Sequence, residues 1–355
     1  MEKAPVPYPP VLHSLASAST ITWLIHQKFE LSIPLYRQEK EWEALGLRLS
    51  RATMSNWLLI VYRDWLVHIV HRLKLELLKQ RYLHIDETHV QVLKEPGRKN
   101  TSDSYMWVYC SIKDAVNPIR YFESQPGRSG KYPEAFLREY EGYIHTDAYS
   151  GYNAVSGVKR CLCYTHLRRA FVDALPKDIH NSEASKAAEA ILRLNQLFNI
   201  ESELEALPPD QKKKERLIRE KPLLEAFWSW AEKSAIGELP KSKLSKAFHY
   251  ALNNREGFWN YLEDGNCSIS NSLAENCIRP FVIGRKNWLF SGSPKGAEAS
   301  AGIYTLVETA KANGLAPMKY IKYILSDMPG SAFLEHPEYL DDYLPWNPLV
   351  KEFCR

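Results

Sequence analysis

The stretch from residue 82 to residue 163 constrains the fold most, because its hydrophobic spacing breaks with that of the chain on either side. The segments YLHIDETHVQVL, SYMWVYCSI and PIRYFESQ are rich in β-branched and aromatic residues, and a polar, Gly-containing stretch at 94–104 interrupts them. A helical pattern follows at about Tyr132–Tyr140, then two more short β-like runs, Gly142–Thr146 and Val158–Cys163. Residues 18–80 before this block and 167–265 after it read as helices. With 355 residues, 45% of them hydrophobic, the chain can bury a sizeable core in two or three domains.

Three strands, a helix, and then alternating β and α is the element order of a ribonuclease H-like α/β sheet, in which the ends of the first and fourth strands are neighbours. Asp86 closes the run Tyr82–Ile85 and Asp147 closes Gly142–Thr146, so this order predicts the two side by side. Glu275 opens a helix-like stretch 128 residues after Asp147. Two strand-end Asp residues and a helical Glu are an oxygen ligand set suited to two Mg²⁺ (or Mn²⁺) ions about 4 Å apart at a phosphodiester. Each carboxylate also has a plainer reading. An Asp at a strand end commonly starts a turn, and Ser272-Leu273-Ala274-Glu275 fits the S-x-x-E capping box. Glu87 is the nearest alternative acid, and strand alternation turns it away from Asp86.

The spacing divides the chain into a helical region at 1–80, an α/β domain in two parts at 81–166 and 271–325, an all-helical insertion at 167–270, and a C-terminal tail at 326–355. Residues 1–12 are a Pro-rich lead-in. Helices are expected at Thr20–Phe29 and Leu35–Leu45, broken by Gly46, and a long third helix starts after Ser50 as N-cap. LYRQEKEWEALGLRLSRATMSNWL therefore reads as a helix-turn-helix presenting Arg51, Thr53, Ser55 and Asn56 to DNA, with Met54 and Trp57 inward. A helical hairpin packed on the α/β domain fits the same spacing.

Charge supports a polyanion partner only weakly: the net charge is +4, with ten Lys/Arg against seven acids in 1–80 and seven against three in 271–325. The insertion is balanced, and its KKK run at 212–214 reads as a solvated face. Six Cys residues show no disulfide framework, the N-terminus MEKAPVPYPP lacks the apolar core of a signal peptide, and no run approaches the length of a membrane span.

IDETHVQVL, TDAYSGYNAV, CYTHLRRAF, NSLAENCIRPFVIGRKNWLFSGSPKGAEASAGIYTLVETAKANGLAP and the closing LPWN resemble the IS66-type transposases of bacterial insertion sequences, from about Pro10 to Trp346. By that resemblance Asp86, Asp147 and Glu275 fall on the family's DDE triad. It implies a Mg²⁺- or Mn²⁺-dependent strand cleavage and strand transfer on transposon ends and target DNA. It further implies a homo-oligomer on DNA, possible accessory proteins of the same element, and a bacterial cytoplasmic location. Full-length members usually carry a further N-terminal segment with a Cys/His zinc motif, and this chain is expected to start beyond it. Two other functions fit the residues: a DNA-binding remnant without activity, and a ribonuclease H-like structure-specific nuclease.

Around the triad, several side chains carry two readings each. Arg279, one turn past Glu275, fits an ion pair with it or a scissile-phosphate contact. Arg285 and Lys286 suit phosphate. Trp288 suits either stacking on an unpaired base or core packing beside Leu289 and Phe290. Cys161, Cys163 and His166 invite a zinc reading but have no fourth ligand at zinc-like spacing. Cys163-Tyr164-Thr165-His166 resembles the C-x-x-H of some DDE transposases, so His166, Arg168 and Arg169 either support the active site or are structural.

Overall fold

A computed structural model describes residues 8–177 and 185–355; the start of the Pro-rich lead-in and residues 178–184 of the insertion lie outside them. In chain order the elements are α1 (Ala18–Ile25), α2 (Leu35–Ala44), α3 (Arg51–Val61), α4 (Val67–Leu78), β1 (Tyr82–Val92), β2 (Asp103–Ser111), β3 (Arg120–Gln125) and α5 (Lys131–Phe136). Then come β4 (Gly142–Thr146), β5 (Val158–Leu162), α6 (Tyr164–Val172), α7 (Lys186–Glu203), α8 (Pro209–Ala235), α9 (Lys243–Asn253) and α10 (Arg255–Trp259). The chain closes with α11 (Ser272–Trp288), β6 (Phe290–Ser291), α12 (Pro294–Ala312), α13 (Pro317–Asp327) and α14 (Pro348–Cys354). The fold is mixed α/β with a mixed sheet. It comprises two compact units, one of residues 1–80, 86–132 and 274–355, the other of 81–85 and 133–273, so the single strand β1 contributes to both.

In the first unit, β2 and β3 form an antiparallel pair from Tyr105↔Gln125 to Cys110↔Arg120, and the end of β1 pairs in parallel with β6 at Gln91↔Phe290. β3 would be an open edge, a template for unwanted pairing. Helix α12 covers it: the Phe122 and Arg120 N–H groups donate to Thr305 and Thr309 Oγ1 at 2.8 and 3.0 Å. Gly302 of the same helix lets the Tyr62 ring approach, since a Cβ there would lie 2.1 Å from the ring. Ser50 caps α3 as the spacing predicts, accepting the Thr53 N–H at 3.1 Å, and α3 runs into α4 through a π-helical turn at Tyr62–Leu66. The C-terminal residues are packed rather than trailing: Arg72 holds Asp341 with two hydrogen bonds, and the Ala316 N–H donates to the Cys354 carbonyl at 2.7 Å.

In the second unit the start of β1, β4 and β5 are parallel, with Tyr82↔Tyr143, Leu83↔Ile144 and His84↔His145 in register, and Gly142↔Val158 through Thr146↔Leu162 beyond. Helices α6 to α10 pack here around Phe171, Leu194, Phe227, Trp228, Phe248 and Phe258. Each such side chain contributes about 1.5–3 kcal/mol by leaving water. The 167–265 region is helical where described, as its spacing predicts. Charged side chains are buried within it, Arg216 and Glu201 among them. Arg216 of α8 grips both Glu201 oxygens at 2.5 and 2.8 Å and donates to the carbonyls of Tyr261, Asp264 and Cys267 at 3.0, 3.1 and 2.8 Å. A buried guanidinium is tolerated because its donors are used and its charge is paired. In the KKK run, Lys212 pairs with Glu201 at 3.2 Å while Lys213 and Lys214 are exposed, the solvated face expected.

Two boundaries differ from the sequence reading. The helix expected at Tyr132–Tyr140 is shorter, ending at Phe136 before the left-handed Glu139 (φ 64°). β1 does not end at Ile85 but runs to Val92, because the alternating His89-Val90-Gln91-Val92 continues the strand and β6 supplies a partner.

Candidate functional site

In the first unit, Asp86 therefore sits inside β1 rather than at its end. It is half-buried, and its Oδ1 accepts the Glu87 N–H at 2.9 Å. Glu87 points elsewhere, as alternation predicts, into a 2.5 Å ion pair with Arg128 in which its own carboxylate is 2% exposed. On β2 the buried Cys110 thiol faces Cys277 of α11. Burial, that hydrogen bond and the nearby Asp86 charge push the Cys110 thiol up, and the Cys277 thiol is correspondingly lowered. Cys277 is two residues past Glu275, so Asp86 and the first turn of α11 lie around one thiol pair. Glu275 is half-buried in that first turn. Ser272 opens the helix, and the preceding Asn271 spends its amide on the His84 ring and the Ile85 carbonyl.

Further along α11, Arg279 is exposed. Arg285 donates to Thr88 Oγ1 at 3.1 Å, which sets it along β1 two residues beyond Asp86, and burial draws its pKa down. Lys286 is exposed. Trp288 is half-buried, and its partners are not Leu289 and Phe290, which are exposed. The ring folds back over Gly284, where a Cβ would come within 1.9 Å of it, lies 6.3 Å from Tyr304, and has the Lys28 ammonium 5.7 Å above it. Burial lowers the Lys28 pKa to about 8. Lys28 was not legible as part of this cluster, since more than 250 residues separate it from Trp288.

Helices α2 and α3 meet at the turn with Gly46 at φ 86°. Arg51 and Asn56 are exposed, Thr53 and Ser55 half-buried, and Met54 and Trp57 buried and half-buried on the other side. The Thr53 hydroxyl hydrogen-bonds Ser50 Oγ at 2.9 Å, and the Arg51 N–H donates to Glu39 Oε1 at 2.9 Å. Asn56, with Leu59, Ile60, Arg63 and Lys295, lines a cavity of about 500 Å³.

In the second unit, Asp147 directly follows β4. It builds an Asx turn, its Oδ1 accepting the Tyr149 N–H at 2.9 Å. Arg160 of β5 secures this loop from below, and nothing in the sequence marked it out. Its guanidinium donates to Thr146 Oγ1, the carbonyls of Asp147 and Tyr149, and Asn153 Oδ1 at 2.8, 2.6, 2.8 and 2.7 Å, and lies 5.2 Å from the Tyr152 ring centre. Burial and the Asp147 charge raise the Tyr250 pKa, keeping its hydroxyl protonated beside the loop. On α6, His166 is half-buried, Arg169 exposed, and Arg168 Nε donates to Asn195 Oδ1 of α7 at 2.7 Å. Arg168 thus serves helix packing.

The family model described as "Transposase IS66 family" matches residues 13–299. The chain belongs to that family. Among its relatives are three proteins of Sinorhizobium fredii (strain NBRC 101917 / NGR234), each named as uncharacterized. To y4hP it is 24% identical over 98% of this chain and 65% of the relative, and to y4qI 27% identical over 94% and 63%. To y4jD it is 26% identical over 97% and 68%. The chain spans about two thirds of the length of these relatives. No solved structure matches. Among the described residues no helix is long and apolar enough to cross a membrane.

Proposed function

We propose that the protein is a DDE transposase whose carboxylates Asp86, Asp147 and Glu275 direct cleavage and transfer of DNA strands at the ends of an insertion sequence. Family membership supports the transposase role. The observation that carries the triad is positional: His84↔His145 is the last matched pair of β1 and β4, and each Asp stands two residues beyond it in its own chain segment. On this reading residues 81–166 and 271–325 form a ribonuclease H-like domain, 167–270 is its helical insertion, and 1–80 binds DNA through α2 and α3.

The donor set fits hard divalent ions. All three carboxylates are half-buried, both Asp residues have one oxygen oriented by a backbone N–H, and Glu275 stands at a helix N-terminus. Asp86, Asp147 and Glu275 would hold two Mg²⁺ or Mn²⁺ ions, which when bound activate water or a DNA 3′-OH and stabilise the leaving oxygen. The chain's own part is positioning. Arg160 fixes the loop of Asp147. Arg285 lies along β1 and, with the exposed Arg279 and Lys286, offers cations to the backbone phosphates. Arg51, Thr53, Ser55 and Asn56 of α3 face the duplex. The partners are transposon ends and target DNA, with the chain acting as a homo-oligomer on them.

The test is nicking of cognate transposon ends by the purified chain. Free 3′-OH ends that form with Mg²⁺ and not with a chelator support the reading. A gel shift without cleavage, with either metal, would instead make the chain a DNA-binding form without activity.

A further inference from the structure

We propose that His145, Cys161 and Cys267 form a second metal site, separate from the carboxylates and selective for a thiophilic divalent ion such as Zn²⁺. All three side chains are buried, and their ligand atoms lie within 4.8 Å of one another. They come from three places in one unit: β4, β5, and the loop after α10. Spacings of 16 and 106 residues hide the trio from any motif search. Cys163 lies just past the end of β5, where its thiol accepts the Asn271 N–H at 3.1 Å, and it is not one of the three.

The donor chemistry selects the ion. Two sulfurs and an imidazole are a borderline-soft set suited to Zn²⁺, while Mg²⁺ prefers oxygen. A Zn–S bond of ~2.3 Å puts tetrahedral ligand atoms about 3.8 Å apart. Closing from 4.8 Å to that spacing needs side-chain shifts of about 1 Å or less. The imidazole is already oriented for this role. His145 Nδ1 lies 3.3 Å from the Leu83 carbonyl, and the Ser268 N–H donates to Nε2 at 2.9 Å. That pair of contacts fixes the proton on Nδ1 and leaves the Nε2 lone pair facing the Cys267–Ser268 corner. A ligating His typically gives its other N–H to a backbone carbonyl in the same way. Ion binding would replace the Ser268 contact and release the thiol protons to solvent.

The loop bearing Cys267 is also held in advance. Arg216 donates to the Cys267 carbonyl at 2.8 Å, and the Cys267 N–H donates to the Asp264 carbonyl at 3.1 Å. A bound ion would tie β4 and β5 to residues 264–273, the segment that leads into α11. Three protein donors leave one tetrahedral position to water, so the ion should be held less firmly than in a four-thiolate site. The site stands or falls independently of the carboxylate triad.

The test uses the full chain, stripped with a chelator and titrated with Co²⁺ alone. We expect a near-ultraviolet thiolate-to-metal band that saturates at a single equivalent. Cys161→Ser and Cys267→Ser should each lose it, and Cys354→Ser should keep it. A wild-type chain without the band, or a band that survives in both variants, would overturn the site. Where either variant fails to fold by circular dichroism, X-ray absorption of the Zn²⁺-loaded wild-type chain decides. A first shell with two sulfurs supports the site, and one of oxygen and nitrogen alone contradicts it. A Cys161–Cys267 disulfide in chain purified without reductant would also overturn it, making the pair a redox couple.

Discussion

The surroundings of Asp86 and of Asp147 solve the same problem, holding a carboxylate still, by opposite means. Asp147 sits in a short loop, and one guanidinium, that of Arg160, supplies four hydrogen bonds to fix it. Asp86 sits inside an eleven-residue strand, so its backbone is fixed by the sheet itself; the neighbouring contacts are a buried thiol pair and the Glu87–Arg128 ion pair. The loop of Asp147 therefore draws on a remote side chain, while the backbone of Asp86 is held within its strand. Single substitutions should separate the two.

The largest effect is expected at Arg160. Arg160→Ala leaves two carbonyls and a hydroxyl of the Asp147 loop without their charged donor and should cost about 2–4 kcal/mol in chemical denaturation. Cleavage should fall more than tenfold. Arg160→Lys should not restore it, because an ammonium cannot span the positions that the planar fork reaches. Recovery with Lys would show that charge alone matters there.

The two units should also answer pH with opposite signs. Burial, then the Glu201 charge, raises Glu220 of the second unit to about 8, so the folded state holds a proton that the unfolded chain gives up near its ordinary carboxylate pKa. Stability from this group is present at low pH and lost as pH rises through about 8, by an amount on the order of 2–4 kcal/mol. Lys28 of the first unit is lowered to about 8 by burial. Between pH 8 and its ordinary range the unfolded chain binds the extra proton, so this unit gains stability as pH rises there. Urea unfolding of wild type, Glu220→Gln and Lys28→Met across pH 5 to 10 separates the two slopes. Glu220→Gln should flatten the fall, and an unchanged slope would remove Glu220 as its source.

A smaller effect is expected at Trp288. Its half-buried ring, supported by Gly284 and Tyr304, should cost about 2 kcal/mol when replaced by Ala, less than a full core Trp. If the exposed part of the ring stacks on an unpaired base, Trp288→Ala should slow cleavage of duplex ends about tenfold more than cleavage of pre-opened ends. Equal slowing on both, beside the lowered melting temperature, would leave Trp288 a packing residue.

What could be read from the sequence follows the same division. Local signals carried well: Ser50 caps α3, and Gly46, which breaks the helical run before it, sits at φ 86°. Asp147 after its strand and Glu275 in the first turn of a helix were equally legible. Asp86 was legible as a residue and misplaced in its element, since Asp-Glu-Thr looks like a turn unless a partner strand extends the run. Arg160, Arg216 and the Glu87–Arg128 pair were not legible, because a charge on a strand or helix reads as surface until its distant partners are known. His145, Cys161 and Cys267 were hidden for the same reason.

The carboxylate triad is tested by single-turnover cleavage of cognate ends by Asp86→Asn, Asp147→Asn and Glu275→Gln, with folding and end binding measured beside it. Each change removes one charged oxygen donor and little volume. All three variants should bind ends and melt like the wild type while losing cleavage by orders of magnitude. A variant that still cleaves at the wild-type rate would remove its residue from the triad.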